Sequence, residues 1–225
     1  MRCSPLNAAL CFHFEFGEKM NDIFSEIAEL EPILGVPNGF YDRLRVEDDW
    51  SFVIKLSALF EAVGTQALAS KLQHVELEDA FAQLEQAHPK YGKIALMFKL
   101  SMITVDQRKF LLKLAELRNK LVHNISEVSF EFEGFISSLD NNQKSSFADT
   151  FGFGIHETFE IQGHSCNRKD FTIENPKWVI WVTASEILAC LSAEIKHGED
   201  VKKLHELGMR LLENITKHSS VIPNA

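Results

Sequence analysis

Apolar residues recur at three- and four-residue spacing through most of this 225-residue chain, and that period predicts helices. A first helix is expected from Glu18 to Leu34, with Ile23, Phe24, Ile27, Leu30 and Leu34 on one face. Pro32 ends its regular part, and Gly35, Pro37, Asn38 and Gly39 punctuate a loop. Asp48 or Asp49 caps a second helix that reaches Leu72 and carries Phe52, Leu56, Leu59, Phe60, Val63, Ala67 and Leu68. Gly64 inside it costs about 1 kcal/mol relative to alanine, so it marks a close helix contact. A short helix from Leu77 to Ala87 closes at His88-Pro89, and helical spacing resumes from Lys90 to Met102. Thr104 caps the next helix, which runs through Phe110, Leu111, Leu114, Leu117 and Leu121 to His123.

Beyond His123 the period weakens. Val128 to Leu139 fits either a strand, through Phe130, Phe132 and Phe135, or a helix capped by Ser126. Residues 140–176 break the pattern with Asn141-Asn142, Ser145-Ser146, three glycines and scattered aromatics, and read as a long irregular loop. Two short strands, around Phe151–Phe159 and Thr158–Gln162, fit inside it. Trp178 to Lys196 reads as a buried helix and Glu199 to Lys217 as a separate amphipathic one. At the other end, Phe12-His-Phe-Glu-Phe alternates like a strand with little around it to pair with. The sum is an all-α, up-and-down bundle of six or seven helices with one long irregular insertion. Residues 1–18 are an extension outside the core and a candidate for disorder, and residues 19–225 form a single helical domain.

Composition adds limits rather than a function. A hydrophobic share of 45% and a charged share of 24% are those of an ordinary soluble protein with one sizeable core. Charges such as Lys55, Lys99 and Lys113 interrupt the apolar runs before they reach the ~20 residues of a bilayer span. Asn7, His13 and Glu15 interrupt any secretory h-region. The expectation is a cytoplasmic protein without a membrane partner. Cys3, Cys11, Cys166 and Cys190 form no CxxC pair. His164 and Cys166 are close, but a metal would need further ligands such as His156 and Cys190, and ordinary reduced thiols are the favoured reading. No metal or other cofactor is expected.

The net charge of −9 argues against a general nucleic-acid binder. The distribution is uneven, however. Between Lys90 and His123 eight cations face only Asp106 and Glu116. A solvated helix face explains such a run, yet the same segment ends in Leu117-Arg118-Asn119-Lys120-Leu121-Val122-His123-Asn124. An arginine can stabilise a phosphorane-like transition state, and a histidine can move a proton near neutral pH. At about 100° per residue, Arg118 falls inside the apolar stripe, about 40° from Leu114, whereas Lys109, Lys113, Glu116 and Lys120 lie opposite. A cation there needs a partner, and a carboxylate or carbonyls on a neighbouring helix would make it purely structural. Asn119 and His123 are four apart and share a face, so the amide can orient the imidazole. A histidine that merely complements the helix dipole is the plainer alternative. Arg118 and His123 stand about 140° apart on the wheel, so one straight helix does not aim both at one point.

The run Leu111–His123 resembles the signature of the HEPN superfamily of helical nucleotide-binding domains: an arginine, a polar residue and a histidine after a four-residue gap. Residues 50–69 and 93–124 are similar to the two central helical stretches of the mannitol operon repressor family, and the likeness thins after Ile136. The resemblance implies a four- or five-helix core that commonly dimerises. For many members it implies a metal-independent endoribonuclease with paired motifs in a cleft between subunits, acting as a toxin or defence effector restrained by an antitoxin. In that case Arg118, Asn119 and His123 would be catalytic, and Lys109, Lys113 and Lys120 would guide the RNA backbone. The repressor-like branch implies instead a non-catalytic regulatory or protein-interaction module. No helix-turn-helix is evident here. A third reading, an apolar sensor pocket lined by Phe151, Phe153, Phe159, Trp178 and Trp181, ranks below those aromatics being core.

Overall fold

A computed structural model describes residues 17–161 and 164–219, and the Phe12–Phe16 strand reading lies outside the described residues. The architecture is all-α, as the periodicity predicts. Five helices are long: α1 (Gly17–Ile33), α3 (Asp49–Leu72), α6 (Val105–His123), α8 (Asn141–Phe151) and α10 (Pro176–Ser219). Between them lie five short ones: α2 (Phe40–Arg43), α4 (Glu78–Ala82), α5 (Lys93–Lys99), α7 (Phe132–Ser138) and α9 (Arg168–Glu174). Among the described residues the count exceeds the expected six or seven because α2, α8 and α9 form in stretches where no helix was expected. The helix expected over Leu77–Ala87 is shorter, a 3-10 turn at Val75–Leu77 followed by α4.

Helix α3 is the centre of the bundle. Phe52, Val53, Leu56, Phe60, Val63 and Leu68 are fully buried over a broad face, while Ala58 and Ala62 stay exposed on the other side. Helix α10 runs parallel to it. At one end Lys177 pairs with Asp49 at 3.2 Å, and at the other Ser70 Oγ donates to the Ile195 carbonyl at 2.7 Å. Helix α1 packs on α10 through Lys196, whose ammonium meets Glu26 at 2.6 Å and Glu29 at 2.8 Å. Both α3 and α10 contain 18-residue windows long and apolar enough to cross a membrane, contrary to the impression left by the interrupting lysines. Two thirds of each window is buried inside the bundle.

Three local corrections have clear causes. The expected loop at 140–176 is mostly structured. Asp140 and Gln143 form a reciprocal capping box that starts α8, and Phe147, Ala148 and Phe151 bury its inner face. Strands β1 (Thr158–Ile161) and β2 (His164–Asn167) then pair antiparallel, Phe159 opposite Cys166, so Phe151 belongs to a helix and not to a first strand. The two helices expected after Trp178 are one 44-residue helix, α10. Gly198 does not break it, because its missing side chain is what lets α10 touch α3: a Cβ there would lie 2.4 Å from the Ser70 carbonyl oxygen. The ambiguous stretch after His123 resolves into a 3-10 turn at Ile125–Ser129 and helix α7. The interior contact inferred for Gly64 is with Met97 of α5, 3.4 Å from the position of an added Cβ.

A buried carboxylate holds the first turn in place. Glu31 Oε2 accepts from the Gly39 amide at 2.5 Å and Oε1 from the Tyr41 amide at 2.9 Å, satisfying the open donors at the start of α2. Tyr41 in turn donates to the Trp181 carbonyl, and Trp181 Nε1 donates to the Tyr41 carbonyl at 3.1 Å. The aromatics considered as a sensor pocket are split between two clusters. Phe151 and Trp181 sit in the main core with Phe153 against it, whereas Trp178 and Phe159 pack with Phe171 in a smaller one beneath the hairpin.

Candidate functional site

Helix α6 positions every residue of the Arg–Asn–His motif. Its start is fixed by a second capping box: Thr104 Oγ1 accepts from the Gln107 amide at 3.2 Å while the Gln107 side chain accepts from the Thr104 amide at 2.9 Å. Phe110, Leu111, Leu114, Leu117 and Leu121 bury one face against the core. The helix ends at His123, where Asn124 turns to an extended conformation, φ −126° and ψ 108°. His123 therefore stands in the last turn, exposed, beside the unsatisfied carbonyls that favour a cation.

Arg118 is half-buried at the edge of the apolar face, as the wheel predicts. It makes no ion pair with a carboxylate among the described residues. Its Nη1 donates to Asn119 Oδ1 at 3.1 Å. Asn119 is thus engaged with the arginine rather than with the histidine four residues on. Its side chain is exposed, and the guanidinium keeps further donors for an incoming anion.

The three lysines assigned to RNA guidance lie along one line of α6, but two are already paired. Lys109 binds Asp106 at 2.8 Å and Lys113 binds Glu116 at 2.9 Å, both one turn away on the same helix. Lys120 lies over the Phe135 ring, 5.4 Å from its centroid. Other cations of the basic segment are also committed. Lys93 is buried, and burial pushes its ammonium below the ordinary lysine range. Arg108 stacks on Phe98 at 4.8 Å. The sequence run is therefore not a continuous basic cleft within one chain. An open polar cavity of about 430 Å³ lined by Lys109, Asn142, Ser145, Ser146, Asp149 and Thr150 lies beside α6. Lys109 is roughly 21 Å along the axis from His123, so this cavity and the motif are separate places.

The surface beside the motif mixes polar residues, Lys120, Asn124, Ser126 and Glu127, with three apolar ones. Val122, Ile125 and Val128 are all exposed, Ile125 at 89%. They follow from the sequence only once the 3-10 turn after His123 is known, since a continued helix would have scattered them. Among the described residues no group of three His, Cys, Asp or Glu side chains converges on a point where a metal could bind. No family model, curated protein or solved structure matches the chain.

Proposed function

We propose that this protein is a HEPN-like, metal-independent endoribonuclease that works in the cytoplasm as a homodimer, with Arg118, Asn119 and His123 as its catalytic residues. The observation that carries the reading is the state of Arg118. Among the described residues this half-buried arginine has no carboxylate partner and bonds a neighbouring amide, which leaves guanidinium donors suited to an anionic ligand. His123, exposed at the end of the same helix, supplies a proton acceptor.

In this mechanism the ribose 2′-oxygen attacks the adjacent phosphorus as His123 takes its proton. Arg118 stabilises the charge that develops on the non-bridging oxygens. The bond from phosphorus to the 5′-oxygen breaks, and that oxygen takes up a proton. The products are a 2′,3′-cyclic phosphate and a 5′-hydroxyl, with no water, metal or oxidant consumed. Asn119 holds the guanidinium in place. Because Arg118 and His123 diverge around one helix, a complete site takes Arg118 from one copy and His123 from another. The exposed apolar residues Val122, Ile125 and Val128 offer a surface over which two motifs could meet.

That same apolar rim favours a second reading, a non-catalytic module that docks a regulatory partner or antitoxin through the motif surface. Incubating mixed RNA with the protein in excess EDTA separates the two. Cleavage by wild type that is lost in folded Arg118→Ala and His123→Ala variants supports the nuclease. Absence of cleavage in all three supports the docking module.

A further inference from the structure

The polar cavity between α6 and α8 takes no part in the proposed chemistry, yet its place in the fold ties it to the motif. Lys109 on its wall and His123 at the end of α6 stand on one side of that helix. At 100° per residue, Lys109, Lys113, Lys120 and His123 fall within about 80° of one another. Glu116 shares this face and is taken up by Lys113 at 2.9 Å. The open space of about 430 Å³ thus lies at the far end of a line that leads from His123.

The opposite wall is the outer face of α8. Asn142, Ser145, Ser146, Asp149 and Thr150 recur at three- and four-residue spacing, whereas Phe147, Ala148 and Phe151 turn inward and are buried. The lining holds no aromatic ring on which a base could stack. It holds hydrogen-bond donors instead: an amide, three hydroxyls and the Lys109 ammonium. Its carboxylate, Asp149, is met by Lys169 of α9 at 3.2 Å, and the same ammonium donates to Ser145 Oγ at 3.1 Å. Lys169 so brings a second cation to the edge of the cavity.

Lysine, asparagine, serine and threonine side chains are the groups with which proteins hold the phosphate oxygens and sugars of a nucleic-acid strand. The pairs of Lys109 with Asp106 and of Lys169 with Asp149 are exposed on both partners. Such pairs contribute little, so either ammonium exchanges its carboxylate for a phosphate at small cost.

We infer that this cavity is a backbone subsite for the RNA strand, holding a phosphate and its ribose several nucleotides away from the bond cleaved beside His123. Lys113 and Lys120 lie between the two places. The inference takes its ligand from the ribonuclease reading and adds a property to it: affinity depends on the length of the strand and, at this subsite, not on its sequence. Lys109 and His123 are roughly 21 Å apart along the axis, so a dinucleotide seated at His123 does not reach the cavity.

The test places negative charge in the cavity. Asn142 and Ser146 are exposed, and an acidic residue suits the first turn of α8, so an Asn142→Asp/Ser146→Asp double variant should melt like wild type. Binding of a fluorescent RNA of about twelve nucleotides is read by anisotropy with His123→Ala in both proteins. Cleavage of that RNA and of a dinucleotide is read with His123 intact. The expected result is binding of the long RNA weakened about tenfold or more, alike for two unrelated sequences and with a shallower salt dependence. The dinucleotide should be cleaved with wild-type kcat/KM. An Ala58→Glu/Ala62→Glu variant, which adds the same charge to the exposed side of α3, should bind the long RNA like wild type. Long-RNA binding untouched by the cavity variant, or weakened equally by the α3 variant, overturns the inference even where wild type cleaves RNA. So does an equal loss of cleavage on the dinucleotide, or a wild-type chain that binds no RNA. Loss of long-RNA binding in a protein that cleaves nothing keeps the subsite and rejects the nuclease instead.

Discussion

Replacing Gly198 with alanine sets two physical effects against each other. Helix propensity alone predicts a gain of about 1 kcal/mol, because Gly198 lies inside a long helix. The structure predicts the opposite sign. An added Cβ would stand 2.4 Å from the Ser70 carbonyl oxygen, 2.4 Å from its hydroxyl and 2.7 Å from its carbonyl carbon. Two of these are backbone atoms, so the helices themselves must separate. Overpacking of this kind costs about 1–3 kcal/mol. Separation also loosens the hydrogen bond from Ser70 Oγ to the Ile195 carbonyl, worth about 1 kcal/mol. The net expectation is a loss of about 1–3 kcal/mol. Gly134 of α7 is the control, since a Cβ there meets nothing within 4 Å and its alanine variant should gain up to about 1 kcal/mol. Urea unfolding of both variants beside wild type reads the two signs directly. A Gly198→Ala variant as stable as Gly134→Ala would refute the close crossing of α3 and α10.

The Glu186 carboxyl is raised above its ordinary range by burial. The folded state therefore holds that proton more tightly than the unfolded state, and this site's contribution to stability falls as pH rises between the two values. Glu186→Gln should stabilise the protein at neutral pH and lose that advantage in acid, and a pH series of urea midpoints with a constant offset would contradict it. Glu31→Ala should cost about 2–4 kcal/mol, because it leaves the buried-side amides of Gly39 and Tyr41 without an acceptor; a calorimetric melt at the wild-type temperature would oppose this. Arg118→Ala and His123→Ala should each change unfolding free energy by no more than about 0.5 kcal/mol, and a larger loss on denaturant titration would return Arg118 to a structural role. Mixing the two inactive variants should restore part of the RNA cleavage if a site takes one residue from each copy, and continued inactivity after subunit exchange would place both residues in one chain.

The fold class was legible because the signals that carry it are local. Helix α6 was readable nearly to the residue, with Thr104 as its cap and His123 as its end, since both the capping box and the apolar stripe lie within the helix itself. Helix α8 escaped notice although Asp140 and Gln143 are the same kind of box, because its run of Asn, Gln and Ser offers only Phe147, Ala148 and Phe151 as an apolar face. The division of α10 at Gly198 followed the ordinary meaning of a glycine between two periodic runs, and only the neighbouring helix explains why the chain continues through it. At the site, the edge position of Arg118 was visible on the wheel. The pairing of Lys109 and Lys113 with Asp106 and Glu116 was also available at three-residue spacing, and it shows why a charge run is not yet a basic surface. Glu31 reaches eight and ten residues ahead to Gly39 and Tyr41, and no periodic pattern marks such a contact.

The central claim is that Arg118 and His123 perform transesterification on RNA. Mass spectrometry of the fragment ends produced from a defined RNA in excess EDTA tests it most directly. The account predicts 2′,3′-cyclic phosphate and 5′-hydroxyl ends from wild type, and intact RNA from Arg118→Ala and His123→Ala. Fragments with 5′-phosphates, or the same fragments from all three proteins, would contradict it.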